Sequence, residues 1–151
     1  MSGRGIVNKE PWFWDSSALV PLCVDEIASR KAQLQLRNCS PVVWWGSPVE
    51  VHSAIARLHR SGELMDAERI GAVSRLEVLG TKWKEILPAD FVRELARRLL
   101  EGYELRATDA LQLSAALTWC RERPARRTFI SSDTRLSKAA VAAGFSVIEL
   151  S

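Results

Sequence analysis

Pro11-Trp12-Phe13-Trp14-Asp15-Ser16-Ser17-Ala18-Leu19 is the stretch on which the fold turns. Its first four residues form a short apolar, aromatic run opened by proline and closed by aspartate, which reads as a buried strand. From Ser17 the pattern changes. Ala18, Leu19, Leu22 and Cys23 recur at helical spacing, so a strand passes into a helix through one acidic turn. The same succession returns twice. Pro41-Val42-Val43-Trp44-Trp45, closed by Gly46, is a second strand, and Ser47-Pro48-Val49-Glu50 opens a helix after it. There Ser47 is placed to cap the free amides, with Glu50 as its partner in a capping box and Pro48 in the first helical position. Thr128-Phe129-Ile130 is a third strand ending in Ser131-Ser132-Asp133, followed by a helix over 134–143 for which Gly144 is the stop signal.

Between these units the spacing predicts helices over 25–36, 65–86 and 88–101, and another capped by Thr108. A last strand is expected over 145–150. Strands that alternate with helices and read as nearly continuous apolar runs imply a parallel sheet covered on both faces, an α/β fold. Its crossovers are right-handed, and its site lies beyond the carboxyl ends of the strands.

The length of 151 residues suits one domain, expected over 11–151 behind a flexible tail of residues 1–10. Lys plus Arg total 21 against 18 Asp plus Glu, a net charge of +3 that permits a polyanionic partner without requiring one. The longest uncharged stretch, residues 38–49, is too short to span a bilayer, and the N-terminal segment lacks an apolar core of the signal-peptide kind. Three widely spaced cysteines, Cys23, Cys39 and Cys120, fit a reducing cytoplasm and no disulfide framework.

Four acids fall where the sheet rule directs attention. Asp15 and Asp133 directly follow strands; Glu50 and Asp109 lie in the first turns of helices. Each has a bland role: Asp15 and Asp133 as helix caps, Glu50 in the capping box, Asp109 as a complement to the helix dipole. Gathered at one sheet edge, they repel. A pair about 4 Å apart at an effective dielectric near 20 costs on the order of 4 kcal/mol, whereas a cap returns about 1 kcal/mol. Such a cluster persists when a cation or protons neutralise it. All-oxygen donors favour Mg²⁺ or Mn²⁺, and water on such an ion can attack a phosphodiester.

Asp15-Ser16-Ser17-Ala18-Leu19-Val20 resembles the opening motif of PIN-domain ribonucleases of the VapC toxin type. Three further segments resemble the same family's remaining motifs, in order. They are Val49-Glu50-Val51-His52-Ser53-Ala54, Leu105-Arg106-Ala107-Thr108-Asp109-Ala110-Leu111-Gln112-Leu113, and Phe129-Ile130-Ser131-Ser132-Asp133-Thr134-Arg135-Leu136. The likeness spans about residues 11–150. Trp12 and Trp14 depart from it, standing where aliphatic residues are usual.

The resemblance implies a three-layer α/β/α sandwich and a metal-dependent endoribonuclease, the toxin of a type II toxin–antitoxin pair. Asp15, Glu50, Asp109 and Asp133 take the places of the acidic Mg²⁺ or Mn²⁺ site, Ser17 that of its supporting hydroxyl, and Ser131 more loosely that of a further small polar residue. It also implies RNA as substrate, a homodimer, and an antitoxin seated on the helices over 25–36 and 48–64. The alternative is a catalytically silent protein-binding module of the same fold; a third reading is a different Mg²⁺ phosphohydrolase on a doubly wound sheet, against which the missing lysine motif and phosphate-cradling loop count only a little.

Cationic contacts for RNA are sought at Arg93, Arg97 and Arg98, at Arg121, Arg123, Arg126 and Arg127, and at Arg106, each with the plainer reading of a solvated surface. The six tryptophans are expected mainly in the core, with Trp44, Trp45 or Trp83 the ones placed to stack a base. His52 and His59 share a helix face with no cysteine pair nearby, so they read as partly buried residues and not as zinc ligands.

Overall fold

The structure, a computed structural model, describes residues 8–151. Five strands, β1 (Pro11–Trp14), β2 (Ser40–Trp44), β3 (Lys84–Ile86), β4 (Thr128–Ser131) and β5 (Ser146–Glu149), form one all-parallel sheet in the order β3-β2-β1-β4-β5. Seven helices connect them: α1 (Ser16–Cys23), α2 (Ser29–Arg37), α3 (Ser47–Arg60), α4 (Asp66–Gly80), α5 (Asp90–Gly102), α6 (Ala107–Trp119) and α7 (Thr134–Ala143).

Alternation along each strand sends neighbours to opposite faces. Phe13 packs with buried residues of α5, α6 and α7, while Trp14, next to it, packs with those of α1 to α4; both are fully buried. The three layers are thus helices, sheet, helices, as the resemblance implied. Trp14 Nε1 finds its acceptor in Cys39 Sγ at 3.3 Å, which lets an indole sit in the core. The three cysteines are buried and free.

Chain order places β1 at the centre. The chain moves outward through β2 and β3, then returns to the other side of β1 for β4 and β5. The crevice at this reversal, above the carboxyl ends of β1 and β4, is where sheets of this kind bind ligands.

Three expectations are corrected. The helix expected over 65–86 ends at Gly80, and Lys84–Ile86 is the edge strand β3. Three residues, two of them charged, carry no apolar run, and charge is what an edge strand tolerates. Ser47 does not cap α3: Gly46 holds the cap position with no side-chain hydrogen bond, and Ser47 is buried. Thr108 is inside α6, and Arg106 occupies the cap position. Most of the expected tail, residues 1–7, lies outside the described residues; Glu10 is tied to the sheet through Ser40 N at 2.9 Å. Among the described residues no helix is long and apolar enough to cross a membrane.

Candidate active site

Asp15 leaves β1 at the reversal point. Its amide donates to Ile130 O of β4 at 3.1 Å, so the sheet ladder itself fixes its position. It caps α1, as the bland reading held: Ala18 N donates to Oδ1 at 2.9 Å. It also does more than cap. Ser17 Oγ donates to Oδ1 at 2.7 Å, and Ser131 Oγ donates to Oδ2 at 2.6 Å. Ser17 in turn accepts from Ser132 N at 2.8 Å, and Ser131 from Asp133 N at 2.9 Å. The two hydroxyls stitch the end of β4 to the start of α1.

The carboxyl so held is 1% exposed. Burial lifts it from 3.8 to about 7; the hydrogen bonds from Ser131, Ser17 and Ala18 work against that rise, and the charge of Asp133 adds to it. Asp133 follows β4 and caps α7 through Leu136 N at 2.9 Å.

Glu50 stands in the first turn of α3. No capping box forms. Its carboxylate accepts from Ser16 Oγ at 2.7 Å and from Gln112 Nε2 at 3.2 Å. Burial again raises its pKa, the two hydrogen bonds lower it, and Asp109 raises it. Asp109, in the first turn of α6, is raised by burial and by Asp133, and lowered by its bond from Arg106 N and by the Arg106 and Arg135 charges. Asp15, Asp133, Asp109 and Glu50 therefore form a chain of mutually repelling neighbours at the sheet's carboxyl edge.

Among the described residues, no group of three histidine, cysteine or carboxylate side chains stands close enough for a protein-only metal cage. The donors that are present are all oxygen. They suit a hard divalent ion that touches few carboxylates and keeps part of its water shell. Asp15 and its hydroxyl partners, with Asp133, Asp109 and Glu50, are the residues that could hold one.

Two contributors escaped the reading of the sequence as site residues. Gln112 is 1% exposed and donates to both Ser47 Oγ and Glu50. It stands three residues after Asp109, so it shares that acid's helix face; a glutamine amid apolar neighbours was the available signal. Ser16 lies beside Asp15, but its partner Glu50 is 34 positions away.

The expected cations are mostly elsewhere. Arg121, Arg123, Arg126 and Arg127 lie in the loop entering β4, at the opposite edge of the sheet, and Arg127 rests over the Trp119 ring. Arg93 and Arg97 pair with Asp90 and Glu94 on their own helix. Arg106 stays beside Asp109. Trp44 is buried and Trp83 partly so, whereas Trp45 is 53% exposed, against the expectation of burial. His59 meets Asp66 at 2.7 Å, and His52 is exposed where partial burial was expected.

No protein-family model matches the chain, and no curated protein matches it. Solved structures do. A toxin–antitoxin complex from Klebsiella pneumoniae aligns over 93% of this chain and 98% of its own, with TM-score 0.64 and 17% identity. FitAcB from Neisseria gonorrhoeae aligns over 91% and 96%, with TM-score 0.63 and 15% identity. VapBC2 from Rickettsia felis, bound to a DNA fragment from its promoter, aligns over 92% and 99%, with TM-score 0.61 and 13% identity. At such identities the likeness is one of architecture, and over nearly its whole length the chain is folded like a chain of these toxin–antitoxin assemblies.

Proposed function

We propose that the protein is a PIN-domain endoribonuclease of the VapC type, dependent on Mg²⁺ or Mn²⁺, and the toxin of a type II toxin–antitoxin pair. The observation that carries this reading is Asp15: a buried carboxyl at the strand reversal, gripped by Ser17 and Ser131, with the Asp133 charge beside it, Asp109 next to Asp133, and Glu50 next to Asp109. A buried acid whose pKa is raised, beside further acids at the carboxyl ends of the strands, marks a candidate functional site.

A divalent ion bound there supplies activation of water and neutralisation of charge on the phosphodiester. The chain's residues do the rest. Ser17 and Ser131 fix both oxygens of Asp15, so that the carboxylate need not reorganise on binding. Ser16 and Gln112 do the same for Glu50 across the cleft. Asp133 and Asp109 add the negative field that makes a cation favourable.

The toxin reading rests on shared architecture and on a groove. A cavity of about 450 Å³ lies between the α1–α2 link and α4, with Asp25, Glu26, Glu63 and Glu68 in its wall. Glu26 and Leu58 continue into a second cavity, of about 370 Å³, that reaches Ser17 and Glu50. Arg75 and Arg57 also line these cavities, but five acids outnumber them; the path's net negative charge suits a basic antitoxin segment, and it overlaps the region expected from the sequence. Trp45, Val49, Leu87 and Phe91 are exposed apolar residues at or just beyond the ends of β2 and β3, and are the face a homodimer would cover. Three free thiols suit a cytoplasmic setting.

The test is cleavage of RNA by the purified protein with Mg²⁺ or Mn²⁺, with EDTA, and by Asp15→Asn. Cleavage that survives chelation or the substitution overturns the reading. A second reading, a silent binding module, is favoured by the lack of a closed carboxylate cage among the described residues; it gains from an intact fold that binds an antitoxin and cleaves no RNA.

A further inference from the structure

A cavity of about 500 Å³ opens between the α5–α6 link and α7, lined by Tyr103, Glu104, Thr134, Arg135 and Lys138. Thr134 and Arg135 directly follow Asp133, and Arg135 is near enough to Asp109 to act on its charge, so the cavity adjoins the acid cluster. Its walls differ in chemistry. Tyr103 is half-buried, its ring backed by the apolar core below α5 and α6. Arg135 and Lys138 are exposed, one turn apart on α7, and among the described residues neither makes a salt bridge. Glu104 shares the side of Tyr103.

We infer that this cavity is a nucleotide subsite for single-stranded RNA, in which a base stacks on Tyr103 and the adjoining phosphate lies against Arg135 and Lys138. The assignment deepens the ribonuclease reading and rests on it for the identity of the strand. A rigidly backed aromatic ring offers a face to any base, and two cations one turn apart, neither in a salt bridge among the described residues, match a backbone phosphate. Glu104 fixes the direction: a phosphate is repelled from that side, so the base faces it. The subsite also meets a need of the acid cluster, which by itself repels the polyanion it is proposed to cut.

The experiment is fluorescence anisotropy with a labelled RNA hexanucleotide in EDTA, where turnover is blocked, over a range of salt. Tyr103→Leu keeps the apolar packing and removes the stacking face; its Kd rises about tenfold, equivalent to 1.4 kcal/mol. Tyr103→Phe binds as the wild type does. Arg135→Gln and Lys138→Gln each lower the slope of log Kd against log salt by about 0.7. Arg37→Gln, beside the entrance to β2 at the opposite sheet edge, changes neither. Wild-type affinity and slope in Tyr103→Leu and Lys138→Gln, with cleavage intact in Mg²⁺, overturn the subsite and leave the nuclease reading standing. Tyr103-dependent binding without cleavage under any divalent ion upholds the subsite and overturns the nuclease. A wild-type protein that binds no RNA overturns the subsite, and cleavage in Mg²⁺ or Mn²⁺ then decides the nuclease reading on its own.

Discussion

Ser131 Oγ donates to Asp15 Oδ2 at 2.6 Å across 116 positions of sequence. The same oxygen accepts from Asp133 N at 2.9 Å, so one buried hydroxyl orients one acid and anchors the turn that carries another. Ser131→Ala leaves a buried carboxyl oxygen and an amide without partners. The expected cost is about 1–3 kcal/mol of stability. Apparent affinity for the divalent ion, or the cleavage rate, falls about 10- to 100-fold. Urea unfolding and metal titration of the variant check both.

Asp15 makes the metal-free protein sensitive to pH. Its carboxyl has a pKa of 3.8 when unfolded and about 7 when folded, so the folded state holds the extra proton between those values. The contribution is fully present below 3.8 and lost as pH rises through about 7. In EDTA, the wild type is therefore less stable at pH 8 than at pH 5, by a difference on the order of 2–4 kcal/mol. Asp15→Asn flattens that slope and is the more stable protein at pH 8. A chemical-denaturation series across pH 5–8 that shows equal slopes contradicts the assignment.

Divalent ions act in the opposite sense. Binding to the folded state alone stabilises by about 2.7 kcal/mol at a hundredfold excess over Kd. For a chain of this size that raises Tm by roughly 5–10 °C. Thermal scans with Mg²⁺ or Mn²⁺ should show the rise at pH 8, and Asp15→Asn should abolish it. A rise that persists in that variant places the ion elsewhere.

Glu50 carries no cap, because no side chain caps α3. Glu50→Gln therefore leaves stability within about 1 kcal/mol of wild type, or raises it by removing a buried charge. RNA cleavage falls at least 100-fold. Normal cleavage with reduced stability would return Glu50 to a purely structural role.

Gly144 closes α7 at φ 115, and a Cβ there would stand 2.9 Å from Pro124 Cγ. Gly144→Ala costs about 1–3 kcal/mol through backbone strain and that contact. Cleavage per folded molecule stays unchanged, because α7's other end carries Asp133. Tm and specific activity, measured on one preparation, separate the two effects.

The strands that were legible were those whose apolar runs are bounded by proline, glycine or aspartate, such as Pro11–Trp14 and Thr128–Ser131. Lys84–Ile86 was not, since its three residues, two of them charged, carry no apolar run, whereas the other edge strand, Ser146–Glu149, sits within the apolar run over 145–150. Asp15 and Asp133 were readable because a sheet rule locates strand ends without reference to partners. Gln112 and Ser16 were harder, because their role is a contact with Glu50 over 62 and 34 positions, which spacing along one helix cannot show. The capping box at Ser47 and Glu50 satisfied every local criterion and still did not form. Gln112 reaches across from α6 and engages both side chains. Tertiary hydrogen bonds here displaced a local motif worth about 1 kcal/mol.

β1 is both the first strand made and the middle strand of the sheet, so Asp15 emerges early in synthesis with Ser17 beside it, whereas Ser131 arrives with β4, more than a hundred residues later. A polypeptide made only as far as residue 127 has neither Ser131 nor Asp133, so one oxygen of its first acid lacks its donor and the acid lacks its nearest charged neighbour. Whatever chemistry this cleft performs is thereby withheld from every copy that stops short of β4, and is acquired only when the two wings of the sheet have closed around their shared spine.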